Sequence, residues 1–238
     1  VREDGEMPIF VYERKELITS WARLITDGLF ESVAVISGSA EDQVWVSVKR
    51  TMAGVNQGTA VRYIEYFSAR DFGTDPCDAY FVDSGITYDS DATTTITGLT
   101  HLEAEAVAVL ADGAIQSNKT VSGSGEITIT SAATAQVGLP FTVKLKTMPL
   151  SFLGAGSSIL SRVKRVSGLT IEYYNSGDFD YGVSETNKYA ISVDGMDSDI
   201  TPRKTFPAGF GKRGQVFLYQ LSPESFTIIS LGLDFQVF

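Results

Sequence analysis

Short runs of Val, Ile, Phe, Tyr and Trp, broken every few residues by Gly, Asp, Asn and Ser, recur from one end of the chain to the other. PIFVYER, LITSWARLI, FESVAVISG and QVWVSVKR follow one another with DG and GSAEDQ between them. β-Branched and aromatic residues suit a pleated surface and Gly/Asp pairs suit turns, so these runs read as antiparallel strands of a meander. In QVWVSVKR, Val44, Val46 and Val48 fall on one side and Trp45, Ser47 and Lys49 on the other, the alternation of a half-buried strand. AVRYIEYF, after the loop TMAGVNQG, supplies a further strand. Consecutive strands of this kind build a propeller blade or one side of a sandwich. The opening VREDGEMPIF carries neither an initiator Met nor a signal-peptide pattern. The expectation is a piece of a longer chain whose first sheet keeps an exposed edge.

From Tyr80 to Thr147 the texture changes to Thr, Ser, Gly and small apolar residues, with at least four strand candidates and ADG and SGSG as tight connections. Such strands fit a small barrel or sandwich inserted in a larger architecture. The last third opens with LSFLGAGSSILSRVKRVSG, where Ile159, Leu160 and Val163 have helical spacing and Ser157 or Ser158 can cap, which predicts a short helix. LTIEYYNS, KYAISVD, GQVFLYQ and FTIISLGLDFQV then read as strands, the last two as a hairpin with Pro223 in its turn. The expected fold is mainly β: antiparallel meander sheets, a small inserted β-barrel or sandwich domain and one short helix. The expected divisions are 1–79 (a meander ending a propeller or platform), 80–147 (the insert) and 148–238 (short helix plus antiparallel platform).

The 238 residues, 43% hydrophobic and 20% charged, suit one large or a few small globular domains. No apolar run is long enough for a membrane-spanning helix. Net charge is −10, and Asp71 to Asp112 holds nine Asp/Glu without a Lys or Arg. Such a block opposes tight wrapping of nucleic acid and suits a surface past which a polyanion slides.

Chemistry built on imidazole must pass through His101, the one histidine. In THLEAEAVAVLADG the spacing of His101, Glu103 and Glu105 puts all three on one face of an extended strand, with Asp89 and Asp91 as the nearest further metal ligands. The even positions are apolar throughout, so the stretch reads as a strand entering from solvent rather than a metal site. A lone cysteine, Cys77, excludes an internal disulfide and a Cys/His zinc site, and its neighbours Asp75 and Asp78 disfavour a thiolate. GAGSSIL and GSGE lack the nucleophile-elbow pattern, and GAGSSI lacks the Walker ending. Paired carboxylates of a hydrolase are not singled out by any spacing. Arg162, Lys164 and Arg165, with PRKTF and GKRG, read as solvated charge or as a DNA-facing patch. No catalytic, cofactor-binding or metal-ligating residue is therefore assigned, no cofactor is expected, and the chain is read as a non-enzyme.

Taken together, TDGLFESVAVISGSAEDQVWVSVKRTMAG with VRYIEYF, then DAYFVDSGITYD, TTITGLTHLEAEAVAVLADGAIQSNKTVSG and ITI, then VGLPFTVKLKTMPL, resemble the C-terminal portion of the tail nozzle proteins of short-tailed bacteriophages. These are also known as tail tubular protein B-like or packaged-DNA stabilisation proteins, and the similarity covers most of the chain. The resemblance implies a virion structural protein, made in the bacterial host cytoplasm, that forms a hexameric tube below the adaptor and portal ring. It implies side-attached tail fibres, transient contact with genomic DNA during ejection, a β-propeller ahead of this region, and no catalytic motif. It also implies that VYERKELITSWARLITDG is late propeller or platform sequence and that the barrel insert is Tyr80–Thr147. A receptor- or carbohydrate-binding β module on a tail is the alternative, suggested by Tyr173, Tyr174, Phe179 and Tyr181 as exposed aromatics. A carboxylate-pair hydrolase is the third reading.

Overall fold

The alternation read from the sequence becomes strand after strand. The computed structural model describes residues 1–238 apart from 16, 39, 40, 70, 152, 155, 156, 160, 194, 207 and 208, with backbone only at 18, 153, 154, 157 and 158. The chain divides into two units, Val1–Phe141 and Thr142–Phe238.

In the first unit, β1 (Met7–Glu13) and β2 (Ile18–Leu24) form a two-stranded hairpin, and β3 (Leu29–Ile36), β4 (Gln43–Arg50) and β5 (Val61–Tyr66) form the expected meander in the order β3-β4-β5. Val46 and Val48 of β4 are buried with Met7 and Phe30, so the alternation in QVWVSVKR does mark its core face. A second sheet follows from β6 (Asp83–Ile96), β7 (Ala106–Ala111), β8 (Ala114–Thr120) and β9 (Ile127–Leu139), in the order β6-β9-β7-β8. The ADG connection is a tight turn with Asp112 and Gly113 at φ 46° and 72°, the left-handed pair such two-residue hairpins require. Ile96, Leu99, Leu102, Val107, Val109, Val121 and Val137 meet in one core, which Met52 joins from ahead of the sheet. Ala108 and Leu110, on the other face of β7, are buried as well. The 3-10 turn Pro76–Asp78 serves that face: Gln136, opposite Leu110 in the register, donates through Nε2 to the Cys77 carbonyl at 3.0 Å.

In the second unit, β10 (Val143–Lys146), two-residue β11 (Leu153–Gly154) and β12 (Ser157–Ser158), β13 (Lys164–Ser176), β14 (Phe179–Ser184), β15 (Asn187–Ile191), β16 (Asp197–Ile200), β17 (Lys204–Thr205), β18 (Phe217–Gln220) and β19 (Thr227–Val237) build two sheets and a small bridge. One sheet runs β10-β18-β14-β15; the other runs β16-β13-β17, with β19 paired along β13. Leu169, Ile171 and Tyr173 of β13 share a core with Phe179 and Tyr181 of β14 and Leu218 of β18, so the sheets face each other as a sandwich.

The mainly antiparallel β architecture is as expected, and three details differ. The second sheet of the first unit is open, with β6 and β8 at its edges, and is not a closed barrel. No α-helix occurs among the described residues, where the helical segments are three short 3-10 turns. The backbone of Ser157–Ser158 pairs with Leu153–Gly154 and Ile159 is buried, so the helical spacing was fortuitous; Leu160 lies outside the described residues. GQVFLYQLSPESFTIISLGLD does not form a hairpin: β18 pairs with β10 and β14, while β19 pairs with β13 in the facing sheet. Residues Pro223, Glu224 and Ser225 are buried in the crossing between the sheets. There the Gly177 N–H donates to the Ser225 carbonyl at 3.0 Å, and the Asp178 N–H donates to Glu224 Oε2 at 3.1 Å. A Cβ on Gly177 would stand 2.1 Å from Glu224 Oε2, so only glycine admits this close approach.

Candidate functional site

The densest convergence of titratable groups surrounds Arg50. It follows Val44, Val46 and Val48 on the core face of β4, and its side chain is 0% exposed. A guanidinium has five N–H donors in a planar fork. Here Nε donates to Glu65 Oε1 at 2.8 Å, and Nη2 to Glu65 Oε2 at 2.7 Å and Asp83 Oδ1 at 2.8 Å. Nη1 donates to Asp83 Oδ2 at 3.2 Å and to the Asp27 carbonyl at 2.8 Å. All five donors are used. Glu65 faces the core because β5 places it opposite Val46, and Asp83 opens β6. Two hydroxyls satisfy the carboxylates further: Ser84 Oγ donates to Glu65 Oε1 at 3.0 Å and Thr26 Oγ1 to Asp83 Oδ2 at 2.6 Å.

Burial opposes the charge on Arg50, and the bonds and charges of Glu65 and Asp83 outweigh it, so its pKa lies above the ordinary arginine value. Burial also raises the Tyr80 phenol well above its usual range. Because Arg50 bridges Glu65 and Asp83, these acids form a clamp and not a carboxylate pair flanking an open space. The cluster ties β4, β5, the start of β6 and the Thr26–Asp27 turn together.

The histidine stretch is not a strand face, which corrects the reading of THLEAEAVAV. Thr100–Leu102 is a 3-10 turn, Ala104 has a φ of 65°, and β7 begins only at Ala106. The reversal separates His101, which reaches Ser84, from Glu103 and Glu105, which lie against Gly54 and Ala53. His101 Nε2 lies 2.8 Å from the Ser84 carbonyl, an acceptor only, so that nitrogen carries the proton. Its ring meets Tyr63 edge-on, with centroids 6.4 Å apart. Glu105 Oε1 accepts from the Ala53 N–H at 2.8 Å. The Glu103 carbonyl accepts from the Gly54 N–H, and a Cβ on Gly54 would stand 2.5 Å from that oxygen. Asp89 and Asp91 are exposed on β6; Asp89 receives the Thr134 hydroxyl at 3.5 Å. No group of three or more His, Cys, Asp or Glu among the described residues is arranged to hold a metal ion.

Cys77 is half-buried, and its thiol is pushed up to about 11, first by burial, then by its bond to Asp75 and the charges of Asp75, Asp112 and Asp78. Of the aromatics read as exposed, Tyr174 is so, whereas Tyr173, Phe179 and Tyr181 belong to the core of the second unit. Lys164 is buried, its Nζ donating to the Lys212 carbonyl at 2.7 Å, while Arg162 and Arg165 are exposed. Two open depressions on the first unit are lined by residues of the Val1–Gly5 and Leu29–Glu31 segments.

The first unit leaves large apolar side chains uncovered. On β1 and β2, Phe10, Tyr12 and Trp21 share one face, with Phe10 stacked on Tyr12 and 4.7 Å from Trp21, which is 72% exposed. On the meander, Val33 and Val35 are exposed on one face and Ile36, Ile64 and Tyr66 on the other. Arg50, Glu65 and these aromatic faces were missed in the sequence. The signal for Arg50 was available: a cation in register with three valines on a core face demands acidic partners.

Comparison with known protein families and with curated proteins returns no match for this chain.

Proposed function

We propose that the chain is a structural component of a bacteriophage short tail, part of the nozzle that forms the DNA-ejection channel, and that it is not an enzyme. Its partners in this reading are copies of itself in a hexamer, the adaptor and portal ring, the tail fibres and, transiently, the genomic DNA, and its place is the virion. The observation that carries the reading is the uncovered apolar surface of β1–β5. A two-stranded ribbon is marginal by itself, and exposed aromatic patches mark surfaces that another molecule covers. Phe10, Tyr12 and Trp21 are arranged for such cover. The saturated Arg50 clamp supports a scaffold role, because a guanidinium with every donor spent inside the fold has none left for a substrate. Asp71, Asp75, Asp78, Asp89, Asp91 and Asp112 are exposed and fit a wall that repels a passing polyanion. The phrase-level resemblance supplies the identity of the assembly.

Imaging of intact particles tests this directly. Sixfold copies at the tail tip are expected, with β1–β5 against a neighbour; recovery of the chain only from infected-cell cytosol, with none on particles, removes the proposal.

A further inference from the structure

The second unit distributes its charge unevenly. Residues 141–171 and 200–223 contain nine Lys and Arg and no Asp or Glu. The fold draws parts of these segments into one corner. The Lys164 N–H donates to the Gly211 carbonyl at 2.7 Å, the Gly211 N–H donates to the Lys164 carbonyl at 2.9 Å, and the Phe238 N–H donates to the Val163 carbonyl at 2.8 Å. The Leu150 N–H donates to the Arg213 carbonyl at 3.0 Å. Arg165 lies over the Phe210 ring at 5.5 Å, and Phe210 meets Phe238 edge to face at 5.2 Å.

Arg162, Arg165, Lys212 and Arg213 are all exposed there, and none makes an ion pair among the described residues. Elsewhere in the unit Lys144, Lys188 and Arg203 each have a carboxylate partner. Beside the four cations Phe210 and Phe238 are 63% and 61% exposed, and Met148, two residues before Leu150, is 82% exposed. The corner is therefore cationic and apolar at once.

The geometry points to a peripheral membrane-binding patch: this corner of the second unit docks on the surface of an anionic phospholipid bilayer. An anionic bilayer offers phosphate charge to the four cations and an apolar interior to the Phe and Met side chains, and so accounts for both halves of the patch. A nucleic acid strand would use the charge, but Phe210 and Phe238 meet edge to face and do not lie side by side as a stacking platform. An acidic protein segment would leave the rings uncovered. The inference stands apart from the tail reading and does not rest on it.

The test is co-sedimentation of the full chain with vesicles of phosphatidylcholine, with and without phosphatidylglycerol. Binding is expected only to the anionic vesicles, and is expected to weaken as salt shortens the screening length. Each cation near such a surface contributes roughly five-fold in affinity, so R165A/K212A should bind roughly 30-fold more weakly. F210S/M148S should also weaken binding while leaving its salt dependence in place. Unchanged melting temperatures keep both variants interpretable, since every substituted side chain is exposed. The inference is overturned by failure to pellet with anionic vesicles, by equal pelleting with neutral ones, or by pelleting that survives R165A/K212A. It is equally overturned, in favour of another polyanion, if those substitutions abolish binding to a labelled DNA strand or shift a self-association equilibrium while vesicle binding is unchanged.

Discussion

Replacing Arg50 by Ala should cost the first unit more stability than any other single polar substitution. The change deletes five hydrogen bonds and leaves Glu65 and Asp83 facing each other without the cation between them. Removing one partner of a buried ion pair costs about 3–5 kcal/mol, because the remaining charge stays desolvated. Both carboxylate side chains keep 21% exposure, so water compensates in part and the lower end, about 3 kcal/mol, applies. For a unit the size of Val1–Phe141, with an unfolding entropy near 0.3 kcal/mol/K, that is a fall of about 10 °C in melting temperature. Differential scanning calorimetry of the full chain reads it, with R50M/E65L/D83L beside it. Removing all three charges together leaves no unpaired charge, only the Thr26 and Ser84 hydroxyls and the Asp27 carbonyl without these partners, so the triple variant should recover part of the loss. A shift within about 0.5 kcal/mol of parent for R50A, typical of a surface site, would refute the reasoning. So would a triple variant as unstable as the single one.

Four further outcomes follow from other parts of the structure. Burial, and secondarily the charge of Asp178, hold Glu224 above the ordinary glutamate value of 4.5, against the Asp178 N–H that pulls it down. The folded chain thus holds this proton more tightly than the unfolded one; the stability it contributes is complete below pH 4.5 and is lost as pH rises through the folded value. Glu224→Gln should accordingly raise the melting temperature at pH 7, with the difference vanishing near pH 4, and a difference that grows on acidification contradicts the sign. Cys77, at about 11, should react with a thiol reagent at neutral pH roughly 100-fold or more slowly than free cysteine; rapid labelling of the folded chain would count against its acidic, half-buried setting. His101→Ala should cost about 1 kcal/mol, the hydrogen bond to the Ser84 carbonyl, and added zinc should leave the parent's melting temperature unchanged. In the proposed assembly of copies through β1–β5, F10S/W21S should reduce self-association in sedimentation velocity without lowering the melting temperature, since both side chains are exposed; absent or undiminished association would count against that contact.

Strands were legible because their signal is local. In QVWVSVKR one face is Val after Val, and a period of two has no other good explanation. Where the sequence misled, a local pattern was overridden by something it does not encode. HLEAEAV alternates like a strand, but Ala104 takes a left-handed conformation and the stretch turns. Ile159 and Val163 have helical spacing, yet the chain ahead of Ile159 pairs as strand. GQVFLYQ and FTIISLGLD are strands joined by turn residues, and only the sandwich decides that each pairs with a different neighbour. The polar centre was half visible: Arg50 is flagged by its place on the valine face, whereas Asp83 reaches it through tertiary placement that no spacing reveals.

That centre also bears on how the meander keeps its register. Strands normally hold register because a slip by one residue exposes the core face. Beyond Val46 and Val48, the tip of β3–β4–β5 carries exposed apolar residues on both faces, so burial alone discriminates weakly there. The Arg50 fork discriminates strongly, because a one-residue shift of β5 would carry Glu65 to the opposite face and leave the buried guanidinium without its two-bond partner. Stability and register should then separate in R50M/E65L/D83L. Its melting temperature returns towards parent, while the β4–β5 backbone amides lose hydrogen-exchange protection as alternative pairings become accessible. Protection at Val46, Val48 and Tyr63 equal to the parent's, in a variant of restored stability, would mean that packing of Val46 and Val48 fixes the register and that the arginine only fills its site.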